Sequence, residues 1–160
     1  MLDVAKDAIA VAASGGGDVL WLVADVANIP LASASIDAVL DIFTPANYSE
    51  FSRVLKPGGK LIKVIPGPRH MIELREILGD DLSHQSYSNK RIYDYFEEHL
   101  TVTNHLHACK TIKLDSQDAA FVDGLLQMSP VMFNQDKDAI DKTLLNQITV
   151  DAEILIGSID

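Results

Sequence analysis

Short apolar runs alternate with helical segments along the first half of the chain, and this alternation is what most constrains its fold. Asp18–Ala24 (DVLWLVA) and Ile36–Phe43 (IDAVLDIF) are almost continuously apolar and too short for typical helices, as expected of strands buried on both faces. A helical pattern precedes the first run in Val4–Ala13, and another follows the second in Tyr48–Leu55. Buried strands that alternate with helices predict an α/β fold with a parallel sheet.

The rest of the chain extends this pattern. Lys60–Ile65 (KLIKVI) predicts a third strand, and the rigid loop Pro66–His70 leads into a helix that ends at Leu78. The polar stretch Asp80–Asn89 is expected to be a flexible loop. The later predicted elements are a helix that includes residues 92–96, a strand over about Thr101–Leu114, a helix over Ser116–Met128 and an alternating, antiparallel strand over Ile148–Ile156. No repeat or linker divides the chain, so residues 1–160 are expected to form a single domain.

Composition and charge narrow the classes of function. A chain of 160 residues with 48% apolar residues can form one substantial core. The net charge of -10 repels a phosphate backbone on average, which argues against autonomous RNA binding. The chain has no apolar run long enough for a membrane span, no signal-peptide pattern and one cysteine, Cys109. We therefore expect a cytoplasmic protein that does not associate with a membrane.

Several motifs occur in the order found in class I S-adenosylmethionine-dependent methyltransferases. Arg53–Gly59 (RVLKPGG) combines a helix end, a helix breaker and turn glycines before the next strand. Pro66–Leu74 (PGPRHMIEL) and Leu125–Pro130 (LLQMSP) are more specific and are similar to the 23S rRNA (guanine-N1)-methyltransferase family. The resemblance covers nearly the whole chain. It implies a Rossmann-like class I methyltransferase sheet, mostly parallel with an antiparallel C-terminal strand, the cofactor S-adenosyl-L-methionine, and 23S rRNA as the partner.

The resemblance also implies that the family's amino-terminal part is missing. Members of the family carry a four-ligand zinc module, a first strand and a glycine-rich loop before the position where this chain begins, and Met1–Ala5 resembles the end of their second strand. We therefore expect a C-terminal fragment with half of the cofactor cradle absent. Without the first strand, residues 18–24 are expected to pair with residues 36–43 or with another molecule, giving a homodimer or domain swap through an exposed sheet edge.

Two aspartates that follow predicted strands are candidate cofactor ligands. Asp3 would accept hydrogen bonds from the ribose hydroxyls, as acids do at this position in dinucleotide folds, although it could instead cap the helix that follows. Asp25 resembles the adenine-recognition position of the family, where a carboxylate accepts from the exocyclic amine while an apolar neighbour, here Val26, covers the ring. The alternative for Asp25 is a turn aspartate.

The resemblance places the reaction at the end of the second long strand. Phe43, Thr44 and Pro45 stand where the methyl donor and the target base are expected to meet, since strand ends carry chemistry in such folds. It implies catalytic roles for Phe43 and Pro45, with Phe43 and Thr44 also contacting the cofactor. Asp41 departs from the family pattern and is interpreted as a charge that reaches the solvated end of its strand.

The remaining candidates lie in the loop after the third predicted strand and on the later strand that carries two histidines and the cysteine. Arg69 and His70 follow the next strand at the same sheet edge, where Arg69 would orient the guanine and His70 would hold the cofactor or accept a proton; helix capping and salt bridging are the alternatives. His105, His107 and Cys109 alternate along one strand face and are acceptable zinc ligands. Ligands two residues apart on a strand span a poor tetrahedron, so we predict no metal site there.

The predicted activity is methyl transfer to guanine N1 of 23S rRNA by in-line displacement. Such a reaction requires alignment and proton removal but no covalent intermediate on the protein. Two alternatives stay open. The first is a methyltransferase that acts on a small molecule, which the acidic net charge favours. The second is a noncatalytic scaffold fragment that assembles through its sheet edge, which the missing amino-terminal segment favours.

Overall fold

The computed structural model describes residues 1–79, 88–114, 119–129 and 144–159. Within these ranges the elements, in chain order, are β1 (Leu2–Asp3), α1 (Lys6–Ser14), β2 (Leu22–Val23), β3 (Ile36–Ile42), α2 (Tyr48–Val54), β4 (Leu55–Pro66), α3 (Ile72–Leu78), α4 (Lys90–Glu97), β5 (Thr101–Lys113), α5 (Ala119–Met128) and β6 (Gln147–Ser158). Most of the predicted loop at residues 80–89 and the first residues of the helix predicted from residue 116 lie outside the described ranges. Among the helices in those ranges, none has the length and apolar character needed to cross a bilayer.

The strands form two sheets. β1 and β2 pair in parallel, while the other four strands lie in the order β3-β4-β6-β5. β3 and β4 are parallel, with Ala38 opposite Lys60 and Ile42 opposite Val64. Backbone bonds near the two ends of β4 show that β6 runs antiparallel to it, and the contacts between β5 and β6 show the same for that pair. In the four-stranded sheet only β6 therefore opposes the others, which confirms the predicted α/β sheet with an antiparallel C-terminal strand.

The Lys56–Gly59 stretch is absorbed into the start of β4. The strand begins at Leu55, five residues before the predicted position, and its pairing with β3 shifts between the Ile36–Leu55 and Ala38–Lys60 pairs. Gly58 has a φ of 74°, a left-handed conformation that glycine adopts without steric cost. The turn glycines therefore lie in an irregularity within the strand rather than before it.

Two strands are less buried than the sequence predicts. β2 has only two residues, and Leu20 and Val23 in that run are exposed by 68% and 53%. In β3, Leu40 and Ile42 are 60% and 47% exposed whereas Asp41 is 4% exposed. The prediction of strands buried on both faces was wrong here, because β2 pairs with β1 and not with β3, which leaves β3 at the edge of its sheet. The expected direct pairing of these two runs is likewise not formed.

The contacts divide the chain into two compact units. The first comprises residues 1–64, 94–105 and 155–160, and the second comprises residues 65–93 and 106–154. Large buried side chains of the first unit are Phe51, Val54, Leu61, Phe96 and Leu155. In the second unit the buried core cluster consists of Met71, Leu74, Val122, Leu126, Leu145 and Ile148.

An ion pair on α2 fastens the loop that follows β2 in the first unit. Asn47 caps the helix by accepting from the Glu50 amide, and Glu50 in turn accepts from the Ile29 amide at 2.8 Å and from Arg53 at 2.7 Å. Arg53 also donates to the carbonyls of Ile29 and Leu31. The hydrogen bond from Arg53, followed by that from the Ile29 amide, lowers the pKa of Glu50 to about 2. These bonds from Glu50 and Arg53 hold the loop between β2 and β3 against α2.

Candidate functional site

The first group of candidate residues lies at the ends of β1 and β2. The two strands pair in parallel with Asp3 opposite Val23, so Asp3 and Asp25 follow neighbouring strand ends. Both side chains lie on exposed residues, and one oxygen of each accepts a backbone amide two residues later, from Ala5 and Ala27, at 2.8 Å. Asp25 therefore has the turn role that was its alternative, whereas Asp3 bonds to the amide of Ala5 without capping α1, whose N-cap residue is Ala5 itself.

The same geometry is compatible with a nucleoside ligand. A carboxylate has about four acceptor positions, so one backbone bond leaves each side chain able to accept from a hydroxyl or an amine. Val26, directly after Asp25, is partly buried and apolar, as expected of a residue that covers a ring. The chemistry of these side chains thus fits the ribose and adenine of the implied cofactor.

The second group lies at the end of β3 and is built on a buried ion pair that sequence reasoning missed. Lys63 in β4 lies directly opposite Asp41, and its Nζ donates to Asp41 Oδ2 at 2.6 Å. The side chains of Lys63 and Asp41 are only 5% and 2% exposed. Lys63 also donates to the Thr44 carbonyl at 2.8 Å, and the Thr44 hydroxyl donates to the other Asp41 oxygen. The interpretation of Asp41 as a solvated strand-end charge was therefore wrong, because its partner lies on the neighbouring strand.

This ion pair holds a strained turn in place. Phe43 has a φ of 53°, which is uncommon for a residue with a large side chain and costs of order 1–3 kcal/mol. Its amide still bonds to the Val64 carbonyl at 3.0 Å, so the chain leaves the sheet at Thr44. Phe43, Thr44 and Pro45 are all exposed. The three candidates thus form an open turn whose backbone is tied to β4 through Lys63.

A buried tyrosine follows this turn. Tyr48 at the start of α2 is 2% exposed and stacks on His99 with ring centroids 4.8 Å apart, while Tyr95 meets it edge-on at 5.0 Å. Burial, the charge of Asp41 and the nearby Tyr95 together raise the pKa of Tyr48 to about 12. The phenol therefore stays neutral and supports the turn through packing.

The third group surrounds Asp151 in the second unit. Asp151 lies on β6, is 1% exposed, and accepts from the Arg69 amide at 2.7 Å and from His107 Nε2 at 2.6 Å. Its backbone carbonyl accepts from the Gly67 amide at 2.9 Å. Burial raises the pKa of Asp151, but the bonds from Arg69 and His107 outweigh burial and hold the pKa below its ordinary value. The ionised carboxylate anchors the loop that carries Arg69 and His70.

His70 is partly buried at the start of the helix that follows this loop. Burial lowers the pKa of its imidazole, although a hydrogen bond to the Asp151 backbone and the charge of Asp151 oppose that shift. The ring is therefore neutral at neutral pH. His107, which the sequence offered only as a rejected zinc ligand, lies in the same neighbourhood through its bond to Asp151.

The predicted site residues thus fall into three groups. Asp3 and Asp25 lie at the ends of two paired strands, Phe43 to Pro45 share one turn, and Arg69 and His70 share one loop. Asp25 and Phe43 follow strands of different sheets. The sequence analysis did not single out Lys63 and Asp151. Each is a charged residue inside an apolar strand, and a charged residue in an alternating pattern is ordinarily interpreted as facing solvent.

Comparisons with known proteins show which proteins share this fold. Residues 1–63 match the family model described as "Methyltransferase domain". An S-adenosylmethionine-dependent methyltransferase from Thermotoga maritima superposes with a TM-score of 0.52 at 14% identity, covering 98% of this chain and 71% of that one. The fold is that of the class I methyltransferases, as the sequence motifs predicted.

The curated proteins of higher sequence identity carry names that specify a single reaction. The chain is 37% identical to a Bacillus subtilis protein, provisionally named 23S rRNA (guanine-N1)-methyltransferase YxjB, over 98% of this chain and 55% of that protein. It is 30% identical to the 23S rRNA (guanine(748)-N1)-methyltransferase of Streptomyces fradiae over 90% of this chain and 50% of that enzyme. The chain spans about half the length of these curated relatives. The resemblance drawn from its motifs is confirmed.

Proposed function

We propose that residues 1–160 form one methyltransferase domain of a cytoplasmic enzyme that transfers a methyl group from S-adenosyl-L-methionine to guanine N1 of 23S rRNA. The observation that carries the proposal is the similarity to two relatives named for this reaction, which extends over 98% and 90% of the chain. The methyltransferase fold supports the class of reaction.

The three groups of residues divide the work. Asp3 and Asp25 would hold the ribose and adenine of the cofactor, with Val26 against the ring. The turn of Phe43, Thr44 and Pro45 would contact the cofactor and shape the base pocket. Its restraint by a buried ion pair suits a reaction that depends on alignment.

The loop after β4 would contact the guanine substrate. Arg69 would orient the guanine, and neutral His70 would contact the cofactor or the base without adding a second positive charge beside the sulfonium. The cofactor supplies an electrophilic methyl group, so the protein has to align the base and remove its proton.

The proposal is tested by product analysis. The chain is incubated with S-adenosyl-L-methionine and an unmodified 23S rRNA transcript, and the digested RNA is analysed by mass spectrometry. We expect N1-methylguanosine, and a Phe43→Ala variant is expected to form it more slowly because the base pocket is opened. Methylation only at another position, or none with RNA present, would contradict the proposal.

A small-molecule substrate is the competing function, and the net charge of -10 favours it. It predicts that the chain consumes S-adenosyl-L-methionine with a small acceptor while failing to shift an rRNA hairpin in a gel. An RNA-bound band would exclude this alternative.

The exposed edge of β3 supports a proposal about assembly. β3 is the first strand in the order of the four-stranded sheet, and its Leu40 and Ile42 leave 60% and 47% of their surface exposed on one face. Unpaired strand edges recruit further strands, and a second copy of this chain would supply one. Sedimentation at micromolar concentration is expected to show a dimer, and a monomer would exclude this mode of assembly or domain swap.

A further inference from the structure

Three aromatic rings of the first unit form a stack whose outer side has no task in the proposed function. Tyr48 is 2% exposed, and the imidazole of His99 lies on it with the ring centroids 4.8 Å apart and the planes 22° from parallel. His99 is itself an exposed residue. Because Tyr48 covers one face of the imidazole, the opposite face is the one available to a ligand.

Tyr95 stands beside this stacked pair. Its ring meets that of His99 at 71° with the centroids 4.5 Å apart, and it meets that of Tyr48 at 74° and 5.0 Å. Such edge-on arrangements are favourable contacts between aromatic rings. Half of the Tyr95 surface, 50%, is exposed. The exposed rings of His99 and Tyr95, supported by the buried Tyr48, are called the aromatic platform below.

Hydrogen bonds fix the orientation of His99 in this platform. Its Nδ1 lies 2.9 Å from the Tyr95 carbonyl oxygen, and since a carbonyl only accepts, Nδ1 carries a hydrogen and donates it. The His99 amide donates to the Phe96 carbonyl at 3.1 Å. The ring is therefore held at the carboxyl end of α4 before any ligand arrives. A surface that is already ordered loses little conformational entropy on binding.

The charges next to the platform in sequence indicate what stacks on it. Asp94, Glu97 and Glu98 are all exposed, and the whole chain carries a net charge of -10. Negative charges repel a phosphate backbone. An unpaired nucleobase instead presents an uncharged face, and proteins bind such bases by stacking them on tyrosine and histidine rings. The platform therefore fits a base of single-stranded RNA better than its backbone.

We propose that the aromatic platform stacks against an unpaired RNA base that flanks the target guanine. This inference rests on the proposed methylation of rRNA. Tyr48, which supports the platform, begins α2 three residues after Pro45, so the platform belongs to the same unit as the turn that would contact the guanine. A contact to a flanking base tightens RNA binding equally before and during methyl transfer. His99 and Tyr95 are thus substrate-binding residues that leave the reaction step itself unchanged.

The test measures the Kd of the 23S rRNA transcript by gel shift and the single-turnover rate of N1-methylguanosine formation at saturating RNA. His99→Ala and Tyr95→Ala should each raise the Kd about 5- to 100-fold, the usual loss for one base–aromatic stack, and leave the rate at saturation unchanged. His99→Phe keeps a flat ring and should bind RNA like the wild type. The loss in His99→Ala should be the same factor at about 50 mM and about 200 mM salt, because no phosphate contact is removed.

A fluorescent variant gives a second readout that does not depend on removing the ring. Trp21 is the only tryptophan in the chain. Trp21→Phe combined with His99→Trp therefore places a single indole on the platform, and stacking of a base should quench its fluorescence when the transcript is added. Unquenched fluorescence with RNA bound would contradict the proposal.

The matched control is Phe121→Ala on α5, because Phe121 is 53% exposed and Tyr95 is 50% exposed. This variant should bind RNA like the wild type. Equal Kd values for the control and His99→Ala, or a loss confined to the rate at saturation, would overturn the platform assignment alone. A wild type that neither shifts the transcript nor forms N1-methylguanosine would overturn the proposed function, and this assignment with it.

Discussion

Replacement of Lys63 by methionine is expected to destabilise the first unit by about 3–5 kcal/mol. Methionine matches the length of the lysine stem but leaves the buried Asp41 carboxylate without its cation, and Asp41 is 4% exposed. The Thr44 carbonyl loses the same donor. Chemical denaturation followed by circular dichroism measures the change in the free energy of unfolding.

A pair on the same two strands provides the control. Lys56 and Asp37 form an ion pair at 2.7 Å, but their side chains are 45% and 84% exposed. Lys56→Met should therefore change the free energy of unfolding by about 1 kcal/mol or less. If Lys56→Met and Lys63→Met lowered the free energy of unfolding equally, burial would not be what makes the Lys63–Asp41 pair important for stability. Adding Asp41→Val to Lys63→Met should recover part of the loss, because the unpaired charge is then removed.

Replacement of Gly67 by alanine is expected to destabilise the second unit by about 3 kcal/mol, near the upper end of the usual cost of overpacking. A Cβ at this position would lie 2.5 Å from Asp151 Cγ and within 2.7 Å of both carboxylate oxygens. Gly67 is not in a left-handed conformation, so the cost is steric. Asp151 would have to move, which would disturb its bonds to the Arg69 amide and His107.

Gly124 in α5 is the matched control for this substitution. A Cβ there would meet no heavy atom within 4 Å apart from the excluded local backbone. Alanine in a helix interior is favoured over glycine, so Gly124→Ala should stabilise the chain by about 0.5–1 kcal/mol. The two glycine-to-alanine changes are thus expected to have opposite signs in thermal unfolding. A neutral Gly67→Ala variant would contradict the close packing of Gly67 against Asp151.

The sequence predicted the order of strands and helices because local signals mark most of their boundaries. Alternation identified the antiparallel β6, and the RVLKPGG motif marked the passage from α2 to β4. Burial was harder to predict. Apolar composition shows that a run can be buried but not which strands will cover it, so β2 and β3 were expected to be more enclosed than they are.

The sequence pointed to candidate residues where motifs stand at strand ends, but not to pairs whose two members lie far apart in sequence. The sequence offered Asp3 and Asp25 as candidates because each stands at the carboxyl end of a predicted strand. Lys63 and Asp151 were missed because their partners, Asp41 and His107, lie 22 and 44 residues away in sequence. Only strand register brings each pair together, and single-sequence patterns do not encode register.

The proposed binding of the cofactor at the ends of β1 and β2 is tested most directly by titrating the chain with S-adenosyl-L-methionine in a calorimeter. We expect saturable binding with a Kd below about 1 mM. Asp25→Asn keeps an oxygen for the Ala27 amide but removes the charge, and it should weaken binding about 10- to 100-fold, the cost of one hydrogen bond to a charged group. Asp18→Asn, before β2, should leave binding unchanged. Absence of binding at millimolar ligand, or equal affinity in all three proteins, would contradict the account.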